Sequence, residues 1–139
     1  MFRIRQIDHV VLRVADVERA MRFYMDVLGC ELEKVQEGIG LYQLRAGSSL
    51  IDLVPVDGVL GRMGGAAPGA GGRNLDHLCL SIAPFDGEAL LRYLRDKGCE
   101  PGQVESRYGA EGTGPSIYVT DPEGNVVELK GPPRENGTD

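Results

Sequence analysis

The sequence predicts an α+β fold built from two tandem copies of one βαβββ unit. The prediction rests on segments that recur in the same order along the chain. Asp8-His9-Val10-Val11-Leu12 returns 68 residues later as Asp76-His77-Leu78-Cys79-Leu80. Gly29-Cys30-Glu31 returns 69 residues later as Gly98-Cys99-Glu100, and a helical pattern lies between the two landmarks in each half. Self-similarity at a fixed spacing indicates a repeated structural unit.

Composition limits the classes of protein that this chain can represent. The 139 residues are 42% hydrophobic and 26% charged, which is typical of one globular domain. A net charge of −6 without a cluster of basic residues argues against a nucleic-acid partner. The apolar runs are too short to span a bilayer, and residues 1–5 lack the apolar stretch of a signal peptide, so we expect no membrane association and a cytoplasmic location.

Each unit is predicted to begin with a strand that is followed by a helix. Residues 7 to 14 alternate, which places Ile7, His9, Val11 and Arg13 on one strand face. Asp16 is a suitable N-cap for the next helix, and Gly29 is a suitable residue to end it. The apolar helix positions are Val17, Ala20, Met21, Tyr24, Val27 and Leu28. In the second unit the helix is expected from about Gly87 to Lys97, with Gly98 after it.

Three short strands follow each helix in the prediction. In the first half they are roughly Glu31 to Gln36, Leu41 to Arg45 and Leu50 to Pro55. In the second half they are near Gly102 to Arg107, Ser116 to Thr120 and Val126 to Lys130. The turn residues 121–125 (Asp-Pro-Glu-Gly-Asn) join the last two strands into a hairpin.

The connection between the halves is rich in glycine, with seven glycines in the seventeen residues from Asp57 to Arg73. We expect no regular element there. The segment is interpreted as a passive connector, with a flexible lid over a site as the alternative. The expected organisation is a single domain, 1–139, with module 1 at about 4–57, the linker at 57–73, module 2 at about 74–131 and a tail at 132–139.

The two histidines of the chain, His9 and His77, occupy the same position in the two repeats. Asp52 and Glu128 are equivalent in the same way, since each lies in the last strand of its half. If the units pack with approximate two-fold symmetry, these four side chains meet near the axis. Two imidazoles and two carboxylates can bind one divalent first-row metal ion and leave positions for water or substrate. Taken singly, such residues are more often structural or solvated.

Two stretches carry a family resemblance. One is residues 9–29, which contain His-Val-Val-Leu-Arg-Val, Asp-Val-Glu-Arg-Ala-Met-Arg-Phe-Tyr and Val-Leu-Gly, and the other is residues 121–129, Asp-Pro-Glu-Gly-Asn-Val-Val-Glu-Leu. They resemble the opening and the closing hairpin of bacterial lactoylglutathione lyase, and the sequence thus resembles the glyoxalase I branch of the vicinal oxygen chelate superfamily. Asp52 falls where that family has its first Glu ligand, and His77 matches its second His. The resemblance covers about residues 4 to 131. It implies two βαβββ modules whose curved mixed sheet encloses the metal site, usually in a homodimer.

The resemblance also implies an activity. The expected protein is a metal-dependent lyase or isomerase that acts on a small oxygenated substrate, a glutathione–aldehyde adduct being one candidate. It would use one divalent ion, Ni, Zn, Fe, Mn or Co, with Glu128 as the catalytic base and Asp52 as the second choice. The alternatives are an iron-dependent dioxygenase, a fosfomycin-type thiol transferase and a non-catalytic drug-binding resistance protein. The retained His9, His77 and Glu128 count against the last.

One residue and one stretch depart from the family pattern. Asp52 is one methylene shorter than the expected Glu, so we predict a weak or water-mediated ligand. Residues 107–118 resemble uncharacterised glyoxalase-like proteins more than true lactoylglutathione lyases, which leaves the substrate open.

Three further residues lie on the predicted site face. In glyoxalase I an Arg at the spacing of Arg13 binds a glutathione carboxylate, so Arg13 is a candidate substrate-binding residue, with a surface role or an ion pair as the alternative. Tyr118 either offers a hydroxyl to the substrate cavity or packs in the core. Cys79 either approaches the metal or fills space.

Overall fold

A computed structural model describes residues 1–134 and shows two compact units, Met1–Asn74 and Leu75–Asp139. Each unit contains one four-stranded mixed sheet with the same strand order: the first and fourth strands are parallel neighbours, followed by the third and the second. The predicted repetition of a βαβββ unit is therefore confirmed. Among the described residues, no helix is both long enough and apolar enough to cross a membrane.

Unit 1 follows the predicted order closely. Its elements are β1 (His9–Val14), α1 (Val17–Arg22), β2 (Glu31–Gln36), a 3-10 turn (Glu37–Ile39), β3 (Leu41–Ala46), β4 (Ser49–Pro55) and α2 (Val59–Arg62). β1 begins two residues later than the alternation of residues 7 to 14 predicts.

Helix α1 is capped as expected but changes its winding after one and a half turns. The Asp16 carboxylate accepts a hydrogen bond from the Arg19 backbone N–H, which satisfies one free donor of the first turn. Residues Phe23–Val27 then form a π-helical turn. Phe23 and Tyr24, the first two residues of this turn, are both buried, and their rings meet edge to face. Phe23 lies three residues after the buried Ala20, although the predicted apolar positions did not include it. Gly29 ends the helix at a φ of 81°.

The two faces of the unit 1 sheet differ as the alternation predicts. Leu12 and Val14 of β1 and Leu44 of β3 are fully buried on the face opposite His9. β4 is the exception, because its residues Ile51–Val54 are all buried. It lies between β1 and β3 in the sheet, and alternate residues of the strand, which face opposite sides, are all buried. Asp52 is therefore a buried carboxylate, with only 2% of its surface exposed.

Unit 2 repeats this plan. Its elements are β5 (Leu78–Ser81), α3 (Gly87–Asp96), β6 (Glu105–Gly109), β7 (Gly112–Thr120) and β8 (Val126–Lys130). Asp86 caps α3 through the Ala89 backbone N–H, and Gly98 follows the helix at a φ of 85°. β7 begins four residues before the predicted Ser116, and β6 begins three residues after the predicted Gly102. Both shifts fall next to the stretch that departs from the family pattern.

The glycine-rich segment contains structure that its composition does not predict. The expectation that it holds no regular element is wrong for Val59–Arg62, which form the short helix α2. Gly61 is required there because a Cβ at this position would lie 1.8 Å from the Pro55 carbonyl oxygen. Further on, Gly69 and Gly72 exchange two backbone hydrogen bonds of 3.0 Å. Of the predicted tail at 132–139, residues 135–139 lie outside the described part of the chain.

Candidate metal centre

One histidine and one carboxylate lie at the same register position in each sheet. In unit 1, Asp52 of β4 pairs across the sheet with Val11 of β1, two residues after His9. In unit 2, Glu128 of β8 pairs with Cys79 of β5, two residues after His77. Side chains two residues apart on a strand share a face. Each unit therefore presents its imidazole and its carboxylate on one face of its sheet.

The unit 1 pair is the more open of the two. His9 Nε2 lies 3.9 Å from Asp52 Oδ2, and the His9 side chain is 46% exposed. The other ring nitrogen, Nδ1, lies 2.7 Å from a carboxylate oxygen of Asp8. This hydrogen bond with Asp8, together with the negative charge of Asp52, raises the pKa of His9 above its ordinary value of 6.5, against an opposing effect of burial.

The unit 2 pair is closer. His77 Nε2 lies 3.2 Å from Glu128 Oε1, and Glu128 is buried while the imidazole is about one-third exposed. His77 Nδ1 lies 2.7 Å from Asp76 Oδ1, which repeats the contact of His9 with Asp8. Because an ionised carboxylate only accepts, Nδ1 is the donor in both contacts. Each histidine is thus held through Nδ1 by the preceding aspartate and presents Nε2 to the second carboxylate.

The geometry of these donors fits a divalent cation. An imidazole nitrogen and a carboxylate oxygen that face one another need a proton or a metal ion between them. Two ligands of one zinc ion, each at about 2.0–2.2 Å, stand roughly 3 Å apart, and His77 Nε2 and Glu128 Oε1 meet that spacing at 3.2 Å. A carboxylate on the far ring nitrogen is the usual support of a metal-binding histidine. Asp8 and Asp76 supply it in both units.

The two buried carboxylates have different neighbours. Gln43 of β3 donates from Nε2 to both oxygens of Asp52, at 3.3 Å each. Cys79 lies beside Glu128, and partial burial, the Glu128 charge and a hydrogen bond with that carboxylate raise the pKa of the Cys79 thiol to about 11. Without a bound metal, Cys79 is therefore a protonated thiol at neutral pH.

Tyr118 lies on the site face of unit 2, opposite Glu128 in the β7–β8 pairing. Its ring meets the His77 imidazole edge to face, with centroids 5.4 Å apart and planes at 83°. The Arg107 guanidinium lies over the Tyr118 ring, 4.3 Å from the centroid. Tyr118 therefore lies beside His77 and Glu128, and its ring contacts the His77 imidazole directly.

Arg13 lies on the face of His9 but is held by the glycine-rich segment. Its guanidinium donates to the carbonyls of Gly61, Gly65 and Ala66, at 3.3, 3.1 and 2.7 Å. Asn74, at the end of the segment, accepts from the Arg13 backbone N–H and donates to its carbonyl, at 3.1 and 2.9 Å. The segment is therefore bound to β1 through Arg13 at two places, which a purely passive connector does not require.

The structure brings the predicted ligands together in pairs. Within residues 1–134, no group of three or more His, Cys, Asp or Glu side chains is gathered to hold a metal ion. The pairs are His9 with Asp52 and His77 with Glu128. Sequence reasoning missed Asp8, Asp76, Gln43 and Arg107. The first two carry a visible signal, because the Asp-His doublet is itself repeated.

Comparison with known proteins agrees with this architecture. A family model described as the Glyoxalase/Bleomycin resistance protein/Dioxygenase superfamily matches residues 6–129. The chain is 27% identical to the mitochondrial methylmalonyl-CoA epimerase of Mus musculus, over 94% of this chain and 75% of that protein.

Two solved structures show the same fold. One is TnmS3, an antibiotic binding protein from Streptomyces sp. CB03234, with a TM-score of 0.69, 25% identity, and coverage of 95% of this chain and 98% of that one. The other is lactoylglutathione lyase from Agrobacterium tumefaciens, with a TM-score of 0.66, 21% identity, and coverage of 91% and 92%. With the family model matching 124 of its 139 residues (6 through 129), this chain belongs to the Glyoxalase/Bleomycin resistance protein/Dioxygenase superfamily.

Proposed function

We propose that this protein is a metal-dependent lyase or isomerase of the glyoxalase I type that acts on a small oxygenated substrate. His9, His77 and Glu128 are the ligands of one divalent metal ion, and Asp52 is a weaker or water-mediated fourth. The observation that carries the proposal is the repeated His–carboxylate pair, in which Nε2 faces a buried carboxylate and Nδ1 is held by an aspartate.

The donor set defines what a bound metal would contribute. Two imidazoles and carboxylate oxygens suit the first-row ions Ni, Zn, Fe, Mn and Co. Such an ion would supply Lewis-acid stabilisation of negative charge on adjacent substrate oxygens. The longer His9–Asp52 separation of 3.9 Å, against 3.2 Å for His77–Glu128, supports the weaker role of Asp52.

Glu128 is proposed as the base that moves a proton between neighbouring substrate carbons. Its carboxylate is buried, so it is shielded from bulk water, and Cys79 is a hydrogen-bond partner that holds it on the site face. The similarity to an epimerase supports proton transfer as the chemistry. A carbon centre that carries an acidic proton can be inverted by removing that proton and returning it to the opposite face.

Arg13 and Tyr118 are proposed to contact the substrate. Arg13 carries a positive charge on the His9 face, and a guanidinium pairs with a carboxylate through two parallel hydrogen bonds. In the structure its Nη1 donates to Gly61 and Gly65 and its Nη2 to Ala66. To pair with a substrate carboxylate in this way, the guanidinium would exchange one or more of these carbonyl partners for the substrate.

The competing proposal is a binding protein that sequesters a small molecule in the same fold. The similarity to an antibiotic binding protein favours it. Binding of a small molecule alone, however, gives no reason for Asp8 and Asp76 to hold the histidines through Nδ1. An iron-dependent dioxygenase would use the same His, His and Glu ligands.

The test is metal analysis of protein purified without added metal, followed by assay with the hemithioacetal of methylglyoxal and glutathione. The proposal expects a bound divalent metal and metal-dependent turnover. A metal-loaded protein that is inactive on α-oxo thiol adducts but consumes oxygen would favour the dioxygenase. A protein that takes up no metal would favour the binding protein.

A further inference from the structure

The Tyr118 ring lies between a cation and a candidate metal ligand. Arg107 covers one region of the ring at 4.3 Å, and His77 packs against it edge to face at 5.4 Å. Both distances are within the range in which cation–π and aromatic pairs attract. The three side chains form a continuous row on the site face of unit 2.

Arg107 is fixed at its outer end. Its Nη1 donates to the Ser116 carbonyl and hydroxyl oxygens, at 3.1 and 2.7 Å, and its Nη2 donates to Glu105 at 3.1 Å. The side chain is 23% exposed, so these bonds are partly shielded from water. Because the planar guanidinium is hydrogen-bonded at both Nη1 and Nη2, it has little freedom to rotate. It therefore presents one fixed plane to the Tyr118 ring.

Unit 1 has no such row of Arg, Tyr and His side chains at the equivalent position, and its His–carboxylate pair can be compared with that of unit 2. The third-strand residue opposite the carboxylate is Gln43 rather than Tyr118, and it bonds to Asp52 instead of packing on the imidazole. His9 is then more exposed than His77, at 46% against 35% of the side chain. It also stands farther from its carboxylate. The tighter pair is the one with the aromatic support.

We propose that Arg107 is a positioning residue for His77. By fixing the plane of the Tyr118 ring, it holds the imidazole in the orientation that directs Nε2 at Glu128. The consequence for metal binding rests on the proposed function, whereas the effect on the imidazole does not.

The first measurement uses metal-free protein. The chain has only two histidines, so the ring-proton NMR signals of His77 can be assigned with His77→Ala and compared across a pH titration. Arg107→Met keeps the stem of the side chain but removes the planar charge. In Arg107→Met we expect the chemical shifts of the His77 ring protons to move toward their values in Tyr118→Leu, a variant without the aromatic ring. Tyr118→Phe keeps the ring and is expected to resemble the wild type. If Arg107→Met fails to fold, Arg107→Lys takes its place.

The second measurement is metal affinity by competition with a chelator. Loss of a residue that supports a ligand costs 10–100-fold in affinity, and we expect about 10-fold for Arg107→Met. Arg45→Met is the matched control, because Arg45 pairs with Glu33 in the other sheet and should leave the affinity unchanged.

The outcomes separate the two proposals. Unchanged His77 signals in Arg107→Met would overturn the positioning role. Shifted signals in a protein that binds no metal would support the positioning role and contradict the proposed function. Shifted signals with unchanged metal affinity would support the positioning role and overturn its stated consequence for metal binding.

Discussion

The Gln43 amide donates to both carboxylate oxygens of Asp52, at 3.3 Å each. Asp52 is 2% exposed, and His9 Nε2 lies 3.9 Å from its Oδ2. A buried carboxylate needs such donors, because removing an ion from water is costly unless hydrogen bonds replace the lost hydration. Gln43 therefore allows a charged side chain in the centre of the unit 1 sheet.

Replacing Gln43 with Leu leaves this carboxylate without its amide donor. We expect the free energy of unfolding of the metal-free protein to fall by about 1–3 kcal/mol, the usual cost of an unsatisfied buried group. Urea unfolding followed by circular dichroism measures it. In an Asp52→Leu background the same Gln43 change should cost much less. Equal costs in both backgrounds would show that Gln43 acts by packing alone.

Replacing Asp8 with Asn removes the negative charge from the hydrogen-bond partner that raises the pKa of His9. In metal-free protein we expect His9 to titrate above 6.5, and Asp8→Asn to lower its pKa. NMR titration of the His9 ring protons measures both, with the His77 signals as an internal control. A His9 pKa that does not change in Asp8→Asn would contradict the assigned cause.

The sign of the linked stability effect follows from this shift. A pKa that is raised on folding stabilises the protein below the unfolded value of about 6.5. That contribution disappears as the pH rises through the folded pKa. Asp8→Asn should therefore destabilise the metal-free protein more in mildly acidic than in alkaline solution. Metal binding has the opposite dependence, because a protonated His9 cannot act as a ligand.

The glycine-rich segment should loosen when Gly64 becomes Ala. A Cβ at Gly64 would lie 2.5 to 2.7 Å from three atoms of the Arg13 guanidinium, so the arginine must move from its carbonyl partners. We expect trypsin to cleave after Arg62 and Arg73 about 10-fold faster, since losing about 1.4 kcal/mol of hydrogen bonding changes an opening equilibrium tenfold.

Gly71→Ala is the matched control for this experiment, because a Cβ at Gly71 meets nothing within 4 Å. It should cleave at the wild-type rate. Equal cleavage of the two variants would show that Arg13 does not hold the segment.

The repeat predicts the fold and the identity of the paired residues because both depend on local pattern. Alternation placed His9 on the exposed face of β1, and the shared spacing placed Glu128 in the last strand of its unit. Whether the four candidate ligands share one metal ion stays a prediction.

Other features depend on contacts between distant residues. Residues Phe23–Val27 wind as a π-helical turn, and the 3.6-residue apolar pattern of the sequence does not predict that change of winding. Arg13 bonds to carbonyls about fifty residues away, and a carbonyl acceptor leaves no residue-type signal in a sequence. Glycine content predicted no regular element at 57–73, and this is wrong for Val59–Arg62. It did not show that Gly61 allows helix α2 to pack against Pro55.

Glu128→Gln should separate metal binding from turnover. The amide oxygen can still face the metal, but it cannot take a proton, so we expect turnover of the substrate that the wild type accepts to fall on the order of 10²–10⁴-fold. Metal occupancy of the variant is confirmed before the assay. Activity within a few-fold of the wild type would remove Glu128 as the base and direct attention to Asp52.

The metal content of the double variant His9→Ala/His77→Ala tests the central claim most directly. Wild type and variant are purified side by side without added metal, loaded with a divalent first-row ion, and dialysed. Metal is then measured by elemental analysis, and folding by circular dichroism. The account predicts one bound ion per chain in the wild type and a folded variant with none. Full occupancy in the folded double variant would contradict it.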